Sequence, residues 1–302
     1  MSARGEGAAP PLVSRALVGM PPTGGPSRRA VAEAPGHRRL RGVLAEPYRA
    51  FRSTGHPGGL VLAAGTGVPL VFNLAEPRHR PAAFVLGPQT APLALRGGPA
   101  ELYLEVWLDP VAAAALLRVS LRSLPGGRDG VVPLGELVGP EGRDLPDQLR
   151  ATPDWQERFG LLDRFLLGRR DRAGAVPPQV AHAWRVLGVQ RGRVAVSALA
   201  AEVGWSHQHL VDRFHHHLGM PVKKAARVLR MEDVVRAAAR EPRASWADLA
   251  ARFGFADQAH LIREVRSLLG VTPGALRGGA RRREPGAPRA TAPRPPRDNR
   301  LP

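Results

Sequence analysis

Cysteine is absent from this 302-residue chain, and aromatic residues make up only 5% of it. Without a thiol, the chain has no disulfide, no thiolate metal site and no cysteine nucleophile. No run of about 18 apolar residues occurs, so the sequence predicts no membrane-spanning helix. The first forty residues also lack the apolar stretch of a signal peptide, and either Met1 or Met20 is compatible with the start. These absences favour a cytoplasmic protein.

Acidic residues are too few to balance the arginines, and the formal net charge is +18. The excess is uneven: residues 42–176 carry a net charge of +1, whereas residues 177–279 carry +7. Residues 1–41 and 280–302 carry +5 each, and we attribute these tails mainly to a compositional bias towards Arg, Ala, Gly and Pro. The contrast between the two larger segments indicates a polyanion partner for the C-terminal half.

The N-terminal half is predicted to be a small antiparallel β barrel or sandwich with helices. Short apolar segments separated by Gly and Pro turns are typical of such folds. We predict strands over residues 59–64, 68–74, 83–86, 92–95 and 101–108. Asp109-Pro110 then predicts a capped helix start. A later helix, with Phe159, Leu162 and Leu166 on its apolar face, closes this part of the chain.

The C-terminal half contains one helical unit twice. Residues 199–210 and 249–261 share the pattern Leu-Ala-Ala-x-apolar-Gly-aromatic, then a capping residue and x-x-His-Leu. Each copy predicts a short helix, a glycine turn and a second helix, with Ser206 and Asp257 as the caps of the second helices. A longer helix over 222–239 joins the copies. This is a double helix-turn-helix, the pattern used to read the major groove.

The second copy carries the more specific motif. It reads Gly254-Phe255-x-Asp257-Gln258-x-His260-Leu261-x-Arg263, followed by Gly270-Val271-Thr272-Pro273-x-x-x-Arg277. With the first copy about 50 residues upstream, this region resembles the DNA-binding domain of the AraC/XylS family of bacterial transcription regulators. The resemblance covers about residues 178–278. The stretch from Trp155 to Asp163 resembles, less specifically, part of the sensor-like domains of actinobacterial-type members.

The resemblance and the charge pattern together give a domain plan for an α+β protein. The C-terminal domain is all-α, with two helix-turn-helix motifs joined by a long helix. We predict a disordered basic tail over 1–40, a sensor or dimerisation domain over 41–170, a linker over 171–176, a DNA-binding domain over 177–278 and a disordered Pro/Arg-rich tail over 279–302.

Candidate base contacts lie near the start of each second helix, on the side away from its apolar positions. The first set is His207, Gln208, Val211 and Asp212, and the second set is Gln258, Ala259, Ile262 and Arg263. The resemblance implies contacts at all of these except His207 and Ile262. Gln can read adenine and Arg can read guanine through two hydrogen bonds each.

Asp212 is the least expected member of these sets, because a carboxylate repels phosphate. It can accept a hydrogen bond from cytosine, or it can pair locally with Arg213 or His216. The chain also offers a group of cations suited to contacts with phosphate, which fix register without reading sequence. These are Lys223, Lys224, Arg227, Arg230 and Arg266.

Histidines raise the question of a metal site or an enzyme. His215, His216 and His217 are consecutive and do not stand four apart, the spacing that would bring two imidazoles to one ion on a helix. We predict no metal, no cofactor and no catalytic residue. His37, His56 and His79 leave an enzyme or metal-binding N-terminal domain as a lesser alternative.

The sequence therefore predicts a sequence-specific, DNA-binding transcription regulator associated with the nucleoid. Two recognition helices would enter successive major grooves under the control of a ligand or partner at the N-terminal domain. A nonspecific nucleoid-type binder that uses the basic tails is the main alternative. RNA polymerase and a second copy of the chain are further candidate partners, and the sequence identifies no effector.

Overall fold

A computed structural model describes residues 29–53, 60–75, 80–95, 101–124 and 130–276. Within these residues the N-terminal half contains eight strands. They are β1 Arg29–Ala34, β2 Tyr48–Ser53, β3 Leu60–Leu62, β4 Val68–Asn73, β5 Ala83–Leu86, β6 Leu93–Leu95, β7 Glu101–Leu108 and β8 Val131–Pro133. All strand pairs are antiparallel. Six strands form one sheet in the order β1-β2-β7-β4-β5-β8, and β3 and β6 form a second sheet.

Strand β7 lies inside the larger sheet and sets its register. It pairs with β2, where Phe51 lies opposite Tyr103, and with β4, where Leu70 lies opposite Val106. Leu104 and Val106 reach the domain core. Glu105 and Trp107, which point to the other face, are buried as well, so the central part of β7 is covered on both sides.

Four helices complete the N-terminal domain. They are α1 Pro110–Leu117, α2 Leu134–Val138, α3 Pro140–Ala151 and α4 Trp155–Asp171. The Asp109 side chain accepts hydrogen bonds from the backbone N–H groups of Val111 and Ala112, as the Asp-Pro start predicted. Phe159, Leu162 and Leu166 of α4 are buried in the core beneath the sheet.

The prediction that residues 1–40 are a tail is wrong for residues 29–40. Strand β1 pairs with β2, and Leu40 is only 1% exposed in the N-terminal core. The alternation in β1 is weak because three of its six residues are alanine, so no apolar periodicity marked it. Residues 1–28 and the predicted tail over 279–302 lie outside the described residues.

Six complete helices of the C-terminal domain lie within the described residues. They are α5 Pro178–Val189, α6 Val196–Glu202, α7 His207–Leu218, α8 Val222–Arg240, α9 Trp246–Arg252 and α10 Gln258–Leu269. Two apolar clusters fill it, one around α5 to α7 and one around α9 and α10. Helix α8 contributes buried residues to both, which makes it the element that joins the two motifs. The predicted α+β class, with an antiparallel N-terminal domain and an all-α C-terminal domain, is confirmed.

Among the helices in the described part of the chain, none is long and apolar enough to cross a bilayer.

Candidate nucleic-acid interface

The second helix of each motif begins in the same way. The Ser206 hydroxyl accepts a hydrogen bond from the His209 backbone N–H at 3.2 Å. The Asp257 carboxylate accepts one from the His260 backbone N–H at 2.6 Å. Each cap satisfies a donor that the first turn of a helix leaves unpaired. Both α7 and α10 are 12 residues long and end at a glycine with positive φ, so the repeat in the sequence is also a repeat in geometry.

The histidine of each x-x-His-Leu motif packs on the aromatic residue of the preceding turn. His209 meets the Trp205 ring at 4.6 Å between centroids, and His260 meets Phe255 at 5.5 Å. Both contacts are edge-to-face, the geometry that aromatic rings favour. These histidines therefore fix the turn of each motif.

Buried residues determine which side of each recognition helix faces outward. Leu210, Phe214 and Leu218 of α7 are 0% exposed. Leu261, Val265 and Leu268 of α10 are buried as well. The candidate base contacts lie on the other side: Val211 and Ile262 are half-buried, and His207, Gln208, Asp212, Gln258, Ala259 and Arg263 are exposed. Both predicted sets therefore form a surface at the start of a helix.

Asp212 has a different local partner from either that the sequence suggested. Its Oδ1 accepts a hydrogen bond from the Gln208 Nε2 at 2.9 Å, and neither Arg213 nor His216 takes that place. The two residues are one helical turn apart on the exposed face. In the second motif, Ala259 and Arg263 occupy the corresponding positions, so the two helices present different chemistry to a partner.

The five candidate phosphate contacts separate into two groups. Lys223, Lys224 and Arg266 are exposed. By contrast, Arg227 forms two hydrogen bonds of 2.8 Å to the Glu264 carboxylate, which ties α8 to α10.

Arg230 is the other member of the second group. It lies 5.8 Å from the Phe255 ring centroid, and burial lowers the pKa of its guanidinium. Arg227 and Arg230 are thus placed to hold the second motif together, which the sequence could not show because their partners are distant in the chain.

Both recognition helices contact the N-terminal domain with their C-terminal ends. The Ser120 hydroxyl donates to the His216 carbonyl oxygen of α7. The Ala64 backbone N–H donates to the Leu268 carbonyl oxygen of α10 at 2.8 Å. The two domains therefore meet at the ends of α7 and α10 that lie opposite their base-contact candidates.

The surroundings of two histidines near the C-terminal end of α7 favour the neutral form. Burial, and then Arg122, lowers the pKa of His215, which Asp212 partly offsets and Lys224 reinforces. Burial, and then Arg213 and His216, lowers the pKa of His217. The His217 Nε2 is buried and has no hydrogen-bond partner among the described residues.

A third contact joins the domains at α5. The Trp184 Nε1 donates to the Asp109 carboxylate at 2.7 Å, and this carboxylate also caps α1. Burial raises the pKa of Asp109, although the hydrogen bonds from Trp184 and from the α1 backbone oppose the shift.

A cavity of about 830 Å³ lies beside this contact. Its wall includes apolar side chains, among them Leu40, Leu44 and Trp184. Cations from both domains also line it, namely Arg38, Arg41 and Arg185.

No group of three or more His, Asp or Glu side chains suited to a metal occurs within the described residues. His37 caps a short 3-10 turn at Arg38–Leu40, where its Nδ1 accepts from the Arg39 backbone N–H. His215 and His216 lie at the domain contact, near Arg122 and Ser120, and His217 follows them on α7. His56 and His79, the other residues named for an enzyme or metal alternative, lie outside the described part of the chain.

A comparison with known protein families supports the assignment of the repeated unit as a helix-turn-helix. Residues 199–279 match the family model described as "Helix-turn-helix domain". Among curated proteins, none matches this chain.

The solved structures that resemble the chain include three of ToxT from Vibrio cholerae. An apo form from strain SCE256 is 10% identical, with 75% of this chain and 95% of that chain covered and a TM-score of 0.39. A second, from V. cholerae O395, is 9% identical, with 77% and 97% covered and a TM-score of 0.38. A wild-type form bound to an unsaturated fatty acid is 11% identical, with 82% and 89% covered and a TM-score of 0.36.

The family match coincides with both capped helix pairs and with the signature from Gly254 to Pro273. Two helix-turn-helix units joined by a long shared helix are the architecture that the sequence resemblance implied. Residues 199–279 of this chain are therefore similar to a helix-turn-helix family, the kind of domain that the resemblance to AraC/XylS regulators implied.

Proposed function

We propose that the protein reads a bipartite DNA sequence by placing the starts of α7 and α10 in successive major grooves. The observation that carries this proposal is the matched pair of capped helices, each with a buried apolar side and an exposed polar side at its N-terminal end. The N-terminal residues of a helix in the major groove reach base edges. Helix α8, buried in both cores, fixes the spacing between the two reading surfaces.

Three exposed cations of the C-terminal domain are candidates for phosphate contacts. Lys223 and Lys224 lie in the first turn of α8, where the helix dipole favours anions, and Arg266 lies on α10. We assign these three to phosphate contacts, which fix register without reading sequence. Arg227 is left out of this group because its guanidinium is already hydrogen-bonded to the Glu264 carboxylate.

Selection of bound fragments from random DNA by the full-length protein tests the proposal. The expected product is a motif with two half-sites whose centres lie roughly 34 Å apart along the helix axis. Removal of residues 1–28 and 279–302 should weaken binding but leave the motif unchanged. Loss of all binding in that variant, or the absence of any motif, would instead support the nonspecific nucleoid-type alternative.

We also propose that an effector binds in the cavity between the domains. The cavity wall combines apolar side chains with three arginines and two acidic residues, Glu46 and Asp109. Because the arginines outnumber the acids and Asp109 already accepts hydrogen bonds from Trp184 and the α1 backbone, this chemistry suits a compound with an apolar body and an anionic group. Because Arg38 and Arg41 belong to one domain and Arg185 to the other, such a compound would change how the domains are held together. Control of a transcription regulator through its N-terminal domain would act by this route.

Trp184 lines the cavity, so its fluorescence should change when a compound binds there. Titration with decanoate, followed by tryptophan fluorescence, should show saturable binding that Arg185→Ala weakens about tenfold. Decanol, which has the same chain without the charge, should bind more weakly than decanoate. Equal binding of both probes, or no effect of Arg185→Ala, would contradict an anion site here.

A further inference from the structure

The first recognition helix exposes a carboxamide and a carboxylate that are bonded to each other. The Gln208 Nε2 donates to the Asp212 Oδ1 at 2.9 Å, and both side chains face outward. Side chains four residues apart are neighbours on a helix, and Gln–Asp pairs at this spacing are favourable. Because an ionised carboxylate only accepts hydrogen bonds, the bond also determines which end of the Gln208 amide carries the nitrogen.

We propose that Asp212 is a positioning residue, which orients the Gln208 amide so that α7 reads adenine. This inference rests on the proposed function, since it assigns roles within the first reading surface. One N–H of Gln208 is held by Asp212, which leaves the amide oxygen and the second N–H side by side. Adenine presents an N6 donor and an N7 acceptor in the major groove, and these complement that pair of atoms.

The terminal torsion angle of a glutamine side chain has a broad, nearly two-fold energy profile, so a free amide adopts two opposite orientations with similar energy. The bond to Asp212 selects one of them. A free amide can turn over and present its NH2 group to the base. Guanine accepts at both O6 and N7, so a turned amide would tolerate it. By holding one N–H, Asp212 removes this second orientation and restricts Gln208 to adenine.

This role also accounts for an acidic side chain on a surface that meets DNA. A carboxylate beside phosphates weakens binding to every sequence, so its presence needs a compensating gain. The second motif lacks the pair, because Ala259 and Arg263 stand at the positions of Gln208 and Asp212. The two half-sites are therefore read differently, one by an oriented amide and the other by a guanidinium.

The test measures base preference at every position of the selected site for the full-length protein and its variants. Gln208→Ala should remove an adenine preference of roughly 5- to 150-fold at one position. Asp212→Ala should lower the preference for adenine over guanine at least fivefold at that same position. It should also tighten binding to all sequences, because a charge that repels phosphate is gone.

Two further variants separate positioning from other roles. Asp212→Glu keeps a carboxylate one turn from Gln208 and should retain the preference. In the Gln208→Ala background, Asp212→Ala should have no further effect on that position. Asp144→Ala is the charge-matched control, because it removes an exposed carboxylate from α3 of the N-terminal domain. It should leave base preference unchanged.

Three results would overturn the inference. If Asp212→Ala tightens binding to all bases equally, Asp212 is only a repulsive charge. If it changes preference at a position that Gln208→Ala leaves alone, Asp212 contacts a base directly. A protein that selects no sequence at all would overturn the proposed function together with this inference, whereas the first two results leave the proposed function intact.

Discussion

Individual cations on the DNA-binding domain look alike in the sequence but differ in what surrounds them. Arg227 is bonded to Glu264, whose side chain is only 14% exposed, whereas Lys223 stands in the open first turn of α8. A cation that is already bonded stabilises the fold, and an open one is available to a phosphate. The difference arises from the packing of α10 on α8, which brings together residues 37 positions apart.

This difference predicts opposite effects of two alanine substitutions. Lys223→Ala should leave stability unchanged and reduce the slope of log affinity against log salt by about one. Arg227→Ala should lower the free energy of unfolding by about 1 kcal/mol, because Glu264 loses its partner, with little change in the salt slope. Urea denaturation and DNA titrations at several salt concentrations measure both quantities. A reduced salt slope for Arg227→Ala at unchanged stability would make Arg227 a phosphate contact after all.

Among secondary-structure elements, those with strong local signals were predicted and those without were not. The Ser206 cap predicted the start of α7, and the repeated Leu-Ala-Ala pattern predicted α9. The structure adds a capping box between Ser245 and Asp248 at the start of α9. The sequence did not predict helix α3, because Gly142 and Pro146 disfavour helix locally. It forms because Leu145 and Leu149 are buried in the N-terminal core, a tertiary effect that local sequence does not show.

In the candidate site, too, some features could be predicted from the sequence and others could not. The exposed faces of α7 and α10 could be predicted from helical periodicity, because apolar spacing determines which side is buried. The Gln208–Asp212 bond and the contacts with the N-terminal domain could not. Each depends on side-chain orientation or on how two domains meet, and the sequence contains no periodic signal for either.

Two glycines, Gly219 after α7 and Gly254 after α9, provide a matched pair of substitutions that tests how a single helix is held. Gly219 and Gly254 both have positive φ, so alanine at either should cost about 1 kcal/mol of backbone strain. At Gly254 a Cβ atom would meet nothing within 4 Å. At Gly219 it would lie 2.8 Å from the Leu121 carbonyl oxygen of the N-terminal domain.

Gly219→Ala should therefore destabilise the protein by roughly 1–3 kcal/mol more than Gly254→Ala, because the domain contact must shift. Thermal unfolding of the two variants, side by side, measures the difference. Equal losses of stability in the two variants would show that the packing of α7 against the N-terminal domain contributes little to stability.

At the scale of the whole molecule, two partly buried histidines near the C-terminal end of α7 should make stability depend on pH. His215 and His217 have lowered pKa values in the folded protein, so the unfolded chain binds protons more readily than the folded one. Their contribution to stability is fully present above the ordinary histidine pKa of about 6.5. It is lost as pH falls from there through the lowered folded values.

We therefore expect the urea midpoint to fall between pH 7.5 and pH 5, and to fall less in a His215→Gln, His217→Gln variant. Carboxylates elsewhere also titrate near the lower end of this range, so the difference between the two proteins is the informative quantity. His207→Gln, at the exposed start of α7, is the control and should follow the wild type. Identical pH profiles for the wild type and the double variant would contradict the contribution of these two histidines.

The central claim is that two recognition helices read separate half-sites, and Arg263 at the start of α10 tests it most directly. Binding of wild-type and Arg263→Ala protein should be measured against every single-base variant of the selected site. We predict that Arg263→Ala relaxes the preference at one position, a guanine in one half-site, by roughly 5- to 150-fold and leaves the other half-site unchanged. Uniform weakening across all variants, with no change in preference, would contradict the claim and reduce Arg263 to a phosphate contact.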